Sequence, residues 1–131
     1  MARARIADDA GENAVRSVLA ASEPVARDTT AMAVRYLLQL LAERAPGNTV
    51  EVRVPPFGAV QCIEGPRHTR GTPPNVIETD PETWLELATG ILDWSDALAS
   101  GTVAASGQRA NLLGLLPILT LGRSPSRGDG Q

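Results

Sequence analysis

The sequence predicts an α+β domain in which helices pack on one face of a mostly antiparallel sheet. Two observations lead to this prediction. Apolar residues recur at helical spacing in residues 28–45, whereas valines alternate with charged residues from Val50 to Val54, as they do in a half-buried strand. The predicted elements from residue 28 onward are helix, strand, strand, strand, helix, helix, strand and helix, an order typical of helices grouped against an antiparallel sheet.

Two helices are predicted in the first third of the chain. Residues 8–22 have weak helical spacing and end before Pro24. Residues 28–45 have a clear apolar face and end at Pro46-Gly47, which cannot continue a helix. The apolar face of this second helix consists of Met32, Ala33, Tyr36, Leu37, Leu40 and Leu41.

A hairpin and a third strand follow. The first strand covers residues 49–55 and the second covers residues 57–63. Pro55-Pro56 lacks two backbone donors, which favours a turn or a sheet edge between them. Glycine and proline make residues 64–75 a loop, and residues 76–79 form a short strand.

The second half of the chain begins with a capped helix. Asp80 can accept hydrogen bonds from the first free N–H groups of a helix that ends at Gly90. A second helix is predicted over residues 95–100, a strand over residues 102–106, and a last helix over residues 111–116. For a chain of this length we expect a sheet of four or five strands.

The 131 residues predict one domain. We place it at residues 28–121, after a flexible or short helical segment at residues 1–27. Residues 122–131 are rich in Gly, Ser, Arg and Pro and are predicted to form a disordered tail.

Charge and hydropathy exclude several classes of protein. The net charge of −3 provides no basic surface for nucleic acid. Residues 112–121 form the longest apolar run, which Gly114 and Pro117 interrupt and which is too short to cross a bilayer. No apolar run typical of a secretory signal follows the N-terminus, and the single cysteine cannot form an internal disulfide, so we expect a cytoplasmic protein.

The residues for common catalytic chemistry are scarce. One His and one Cys cannot build a Cys/His metal cluster, and no phosphate loop or dinucleotide motif is present, so we predict no metal, no cofactor and no enzyme activity. Cys62 and His68 could formally pair, but Cys62 lies on a predicted strand, where a cysteine is usually an inert small hydrophobe. Helix capping accounts for the carboxylates of Asp80 and Glu82.

The polar loop at residues 66–72 has two interpretations. Arg67, His68 and Arg70 could bind an anionic head group, because guanidinium groups suit carboxylates and phosphates. Alternatively, the loop is solvated and its arginines pair with Glu64 or Glu78.

The apolar helical residues have a similar ambiguity, because core packing and the wall of an apolar cavity use the same residue types. The residues concerned are Trp84, Leu87, Leu98, Leu112, Leu115, Leu116 and Leu119.

The block from Glu78 to Gly90, followed by residues 96–103 and Ser106-Gly107, resembles the sterol carrier protein 2 (SCP2-like) family. In that family a strand ends in Asp, and a helix with an aromatic residue and a Leu precedes Ala-Thr-Gly. A second short helix and a strand ending in Ser-Gly follow. The preceding helix and hairpin extend the likeness over about residues 28–120. Residues 52–62 and 65–75 are similar to short actinobacterial members.

This resemblance implies a five-stranded sheet backed by helices, which encloses an apolar tunnel for lipids such as sterols, fatty acids or acyl-CoA. The tunnel residues that it implies are Trp84, Leu87, Leu98, Val103, Leu112 and Leu116. The resemblance therefore predicts non-enzymatic lipid binding and transport.

An alternative function is an accessory domain that docks or supports a partner enzyme, or forms a homodimer, without lipid transfer. The segment at residues 112–121 distinguishes the two functions. An apolar opening rimmed by this segment favours lipid binding, whereas a closed core favours interaction with a partner.

Overall fold

The computed structural model describes residues 4–65 and 75–121, in which helices and strands form an α+β fold. The elements in chain order are α1 (Asp8–Ala20), α2 (Arg27–Arg44), β1 (Val50–Val54), β2 (Gly58–Cys62), β3 (Asn75–Thr79), α3 (Pro81–Thr89), α4 (Trp94–Ser100) and β4 (Val103–Ser106). The α+β class is confirmed, and each of these elements lies within two residues of its predicted bounds.

The sheet has the strand order β2-β1-β3-β4. The pairs β1–β2 and β3–β4 are antiparallel, whereas β1–β3 is parallel, with Val52 opposite Ile77. The described residues thus form four strands rather than five, and the sheet is mixed. The antiparallel strand β2 ends beside the start of β1. A third strand that starts from this same end of the sheet and pairs with the other edge of β1 therefore runs parallel to β1. Alternating hydropathy defines each strand but not its neighbours, so the sequence pattern missed this pairing.

The core lies on one face of the sheet. Val50, Val52 and Val54 are fully buried there, and Ile77 of β3 lies beside them. On the opposite face, Arg53 forms ion pairs with Glu51 (3.1 Å) and Glu78 (4.0 Å). The alternation of burial along β1 therefore separates a helix-covered face from a charged face.

Helix α2 covers the core and holds α1 beside it. Its buried side chains are Ala31, Ala33, Val34, Tyr36, Leu37, Leu38 and Leu41. Met32, predicted to lie on this face, is 38% exposed.

The start of α1 is fixed to α2 by a polar network. The Tyr36 hydroxyl donates to Asp8 (2.8 Å), and Arg5 binds both Glu43 (2.6 Å) and Asp8 (3.1 Å). The hydrogen bond from Tyr36 and then that from Arg5 lower the pKa of Asp8. Within the residues predicted to be flexible or short helical, Asp8–Ala20 therefore forms a helix that packs on the domain.

The predicted helix at residues 111–116 is wrong, because this segment forms turns. The Asn111 side chain accepts a hydrogen bond from the Leu113 N–H (2.8 Å), and Gly114 has a φ of +91°. An Asx turn competes with helical hydrogen bonding, and a left-handed glycine ends a helix. Pro117 also disfavours helical backbone at the preceding residue.

We predict that Gly11→Ala destabilises the protein, although alanine is the better helix former. A Cβ atom at Gly11 would overlap the ring of Tyr36, so α1 would have to move away from α2. Overpacking of this kind costs about 1–3 kcal/mol in the free energy of unfolding. Urea denaturation measures it, with Asn13→Ala on the exposed side of α1 as the control. Stabilisation by Gly11→Ala would contradict the close packing.

Candidate functional site

An open cleft of about 290 Å³, here called the C-terminal cleft, lies between the end of α3, α4 and the turns that follow β4. Its lining residues are Leu87, Gly90, Ile91, Leu92, Asp93, Trp94, Asp96, Leu113, Gly114, Leu116 and Pro117. The walls combine apolar side chains with two aspartates.

Local sequence explains one side of this cleft. Gly90 takes a left-handed conformation (φ +88°) that ends α3, and its N–H group bonds back to the helix. The chain then turns through residues 91–93 to Asp93, whose side chain accepts a hydrogen bond from the Ser95 N–H and caps α4. Ile91 sits in this short turn and is 63% exposed at the cleft.

The other side is backbone with no helix or strand of its own, and Arg44 holds it in place. The guanidinium group donates to the carbonyl oxygens of Leu115 (3.1 Å), Pro117 (2.9 Å) and Ile118 (2.9 Å). The N–H groups of Ile118 and Leu119 both bond to the carbonyl of Ala88 in α3. Segment 112–121 is thus anchored to α2 and α3, and Leu113 projects from it with 67% of its surface exposed.

The six side chains that the resemblance implied for a tunnel are only partly brought together at this cleft. Leu87 and Leu116 line it. Trp84, Val103 and Leu112 are buried in the core, and the Trp84 ring N–H donates to the Val34 carbonyl. Leu98, which the resemblance also implied for the tunnel, is 40% exposed and lies outside the cleft lining. The short α4 buries Trp94 and Ala97 instead, and this places Leu98 on the outer surface.

The sequence did not reveal Arg44, Ile91 or Leu113 as site residues. Ile91 could have been identified from the sequence. An apolar residue directly after a helix-ending glycine lies in a turn, where no helical face buries it. Arg44 could not have been identified from the sequence, since its partners are backbone carbonyls more than 70 residues away along the chain.

The predicted head-group residues Arg67, His68 and Arg70 lie outside the described residues. The residues that flank them are held at the end of α2. The Ile63 N–H bonds to the Ala45 carbonyl (2.6 Å), the Thr49 N–H bonds to the Ile63 carbonyl, and the Asn75 amide bonds to the Thr49 carbonyl. Ala45 directly follows Arg44, so the described residues on either side of residues 66–74 lie near the end of α2 that carries the anchor of the C-terminal cleft.

A larger cleft of about 620 Å³, here called the acidic cleft, lies between α1, the α1–α2 connection and the start of α3. Its lining residues are Val18, Leu19, Ala21, Glu23, Pro24, Val25, Thr30, Asp80, Pro81, Glu82, Leu85 and Glu86. Thr30 and Arg44 are separated by about 21 Å along α2. The two clefts therefore lie towards opposite ends of that helix.

Cys62 is buried on the inner face of β2, and burial raises the pKa of its thiol to about 11. A thiol in this environment is a poor nucleophile, because only the thiolate reacts. Within residues 4–65 and 75–121, no three His, Cys, Asp or Glu side chains are grouped so that they could hold a metal ion. No helix in that same part of the chain has the length and hydropathy needed to cross a bilayer.

Residues 26–118 match the family described as bacterial SCP ortholog. The chain belongs to this family. The SCP2-like assignment made from the block ending at Gly90 is thus confirmed. A comparison with curated proteins finds no match. Every residue that lines the C-terminal cleft falls inside the matched range, whereas the α1 wall of the acidic cleft falls outside it.

We predict that Arg44→Met loosens the wall of the C-terminal cleft. Methionine keeps the apolar stem but removes the donors to three carbonyl groups, so the free energy of unfolding falls by about 1–3 kcal/mol. Hydrogen exchange at residues 115–119 accelerates more than in the rest of the protein. Arg16→Met, on the exposed side of α1, is the control. Equal exchange at residues 115–119 in both variants would show that Arg44 does not anchor the segment.

We predict that Cys62 reacts slowly with a thiol reagent in the native protein at pH 8. At that pH a thiol with a pKa of about 11 is about one-thousandth thiolate. The reaction should become complete in urea, and absorbance of the released thiolate reports both rates. Fast labelling of the native protein would mean that the thiol is accessible, and a Cys62–His68 pair would have to be reconsidered.

Proposed function

We propose that the protein binds an apolar small molecule in the C-terminal cleft and does so without catalysing a reaction. The observation that supports this most directly is the exposure of Ile91 and Leu113. The described residues contain four large apolar side chains that are strongly exposed, and two of them lie at this one cleft. Exposed apolar side chains gathered at a concavity are typical of a binding site, because a ligand would remove them from water.

Segment 112–121 supports the same proposal. Leu113, Gly114, Leu116 and Pro117 rim the opening, while Leu112 and Ile118 of the same segment are buried in the core. Such an opening favours lipid binding over a purely structural role in a partner complex. The chain's membership of a bacterial SCP family agrees with this choice, because the SCP2-like resemblance implies a lipid ligand.

The size of the cleft favours a single acyl chain over a sterol. Its volume of about 290 Å³ lies just below the roughly 300–1,000 Å³ range of small-molecule sites. We therefore propose a fatty acid or an acyl group, with each methylene that is buried contributing about 0.8 kcal/mol.

An anionic head group would be bound by Arg67, His68 and Arg70. Two arginines and a histidine in one loop suit a carboxylate or phosphate. The support is the position of the flanking residues, which hydrogen bonds hold near the end of α2 that anchors the cleft wall. Asp93 and Asp96 line the cleft itself and would repel an anion there, so the head group should lie towards the loop.

We predict that the double variant Ile91→Glu/Leu113→Glu lowers the affinity for a fluorescent fatty acid by about tenfold or more. Two carboxylates at the cleft would remove apolar contact area and repel the anionic ligand. The control is Met32→Glu/Leu98→Glu, which changes the two other exposed large apolar residues in the described part of the chain, at 38% and 40% exposure. It adds the same charge outside the cleft lining, so affinity should fall much less.

An equal loss of affinity in the two double variants would place the ligand elsewhere. Arg67→Ala/Arg70→Ala tests the head group separately. We expect it to weaken a fatty acid but not an uncharged alcohol of the same chain length. Equal weakening of both ligands would contradict a head-group role for the loop.

The alternative is an accessory domain that uses Ile91 and Leu113 to dock a partner enzyme or a second copy of the chain. Sedimentation of wild type and Ile91→Glu/Leu113→Glu distinguishes these functions. Association that the variant abolishes, together with no fatty-acid binding by wild type, would favour the accessory domain.

A further inference from the structure

We propose that the acidic cleft is a docking site for a partner protein, and that its occupant is a segment carrying two or more Lys or Arg residues beside apolar side chains. The inference does not depend on ligand binding in the C-terminal cleft. It rests on two features of the acidic cleft: its floor is apolar, and all the charged residues that line it are negative. This cleft lies towards the other end of α2.

The floor of the cleft is apolar. Val18 and Leu19 come from the last turns of α1, Pro24 and Val25 from the α1–α2 connection, and Leu85 from α3. Leu85 is buried, while Val18, Leu19 and Val25 are half-buried. At about 620 Å³, the cleft can accept several apolar side chains at once.

All the charged residues that line the cleft are acidic: Glu23, Asp80, Glu82 and Glu86. Among residues 4–65 and 75–121, the ion pairs involve Arg5 and Arg53 with other carboxylates and do not reach these four. An anionic lipid in this cleft would be repelled. A purely apolar occupant would remove water from the carboxylates and leave the free-energy cost of this desolvation unbalanced. A cationic occupant would offset that cost by pairing with the carboxylates.

The arrangement on α3 defines the occupant further. Glu82 and Glu86 are four residues apart and therefore lie on one face of the helix, where like charges destabilise it. Glu82 in the first turn is favoured by the helix dipole, but Glu86 lies beyond it. Asp80 is already engaged, because its side chain accepts the Thr83 N–H (2.7 Å). The three glutamates thus remain as the groups for which a cation would be most favourable.

The three glutamates lie on two walls of the cleft. This arrangement favours a polypeptide over a small amine as the occupant. Glu23 comes from the α1–α2 connection, whereas Glu82 and Glu86 come from α3. A single ammonium group carries one positive charge, whereas the two walls together carry three of these glutamates. A segment with two or more basic residues can pair with both walls while its apolar side chains contact the half-buried Val18 and Leu19.

The probe for the test is a labelled amphipathic peptide of Leu, Ala and Arg, with its arginines spaced to lie on one helix face. We expect it to bind and to shift the amide resonances of Val18, Leu19 and Leu85. Its counterpart with Glu in place of each Arg should not bind. Glu82→Gln/Glu86→Gln should weaken the Arg peptide about tenfold or more, because two charge-assisted contacts are lost.

The control variant is Asp9→Asn/Glu64→Gln, which changes the net charge by the same amount at exposed positions outside the cleft. It should change the affinity by about twofold or less. Leu19→Gln tests the floor and should also weaken the peptide. Thermal unfolding of each variant confirms that it is folded.

Three results would overturn the proposal. Equal weakening by the cleft and control variants would mean attraction to the overall negative charge. Resonance shifts confined to residues outside the cleft would place the peptide elsewhere. Saturable binding of dodecylamine in the cleft with no binding of the Arg peptide would show a small-amine site instead of a docking site.

Discussion

The side chain of Arg44 joins the end of α2 to a stretch of chain that has no regular structure. Residues 115–118 cannot satisfy their carbonyl groups in a helix or a sheet, and the guanidinium group donates to three of them. Such charge-assisted bonds are stronger than neutral ones. These bonds hold the segment against α3, where the carbonyl oxygen of Ala88 accepts hydrogen bonds from the N–H groups of Ile118 and Leu119. The cleft, the exposure of Leu113 and the proposed ligand site all depend on this attachment.

The same helix separates two surfaces with different chemistry. Towards its C-terminal end lies the smaller cleft with exposed Ile91 and Leu113, near the residues that flank the arginine loop. Towards its N-terminal end lies the larger cleft, which is apolar at its floor and acidic at its sides. The larger cleft is lined by four carboxylates against two in the smaller one, and its α1 wall lies outside the family match. We therefore place the proposed fatty acid in the smaller cleft.

Much of the fold was predictable because local patterns determine it. The alternation of Val50, Val52 and Val54, the helical stripe of α2 and the cap at Asp80 each depend on neighbours in sequence. The parallel pairing of β1 with β3 and the turns at residues 111–116 were missed. The first depends on which strands meet, and the second on an Asx turn that outcompetes a short helix.

The candidate site was less predictable than the fold. Leu87 and Leu116 were selected from the sequence and lie at the cleft, whereas Leu98 points outward because Trp94 and Ala97 occupy the buried side of α4. In a helix as short as α4, too few residues define the apolar face, so the sequence does not show whether a leucine lies on the buried or the exposed side. Ile91 and Leu113 were missed since both lie in turns, where periodicity carries no information.

Native mass spectrometry of the purified protein, before and after incubation with a mixed lipid extract, tests the binding account most directly. Solvent extraction identifies any released molecule. We expect one fatty acid or acyl compound per chain, bound from the start or taken up during incubation. A clean mass for the protein alone, unchanged after incubation, would contradict lipid binding and favour a domain that acts only by docking a partner.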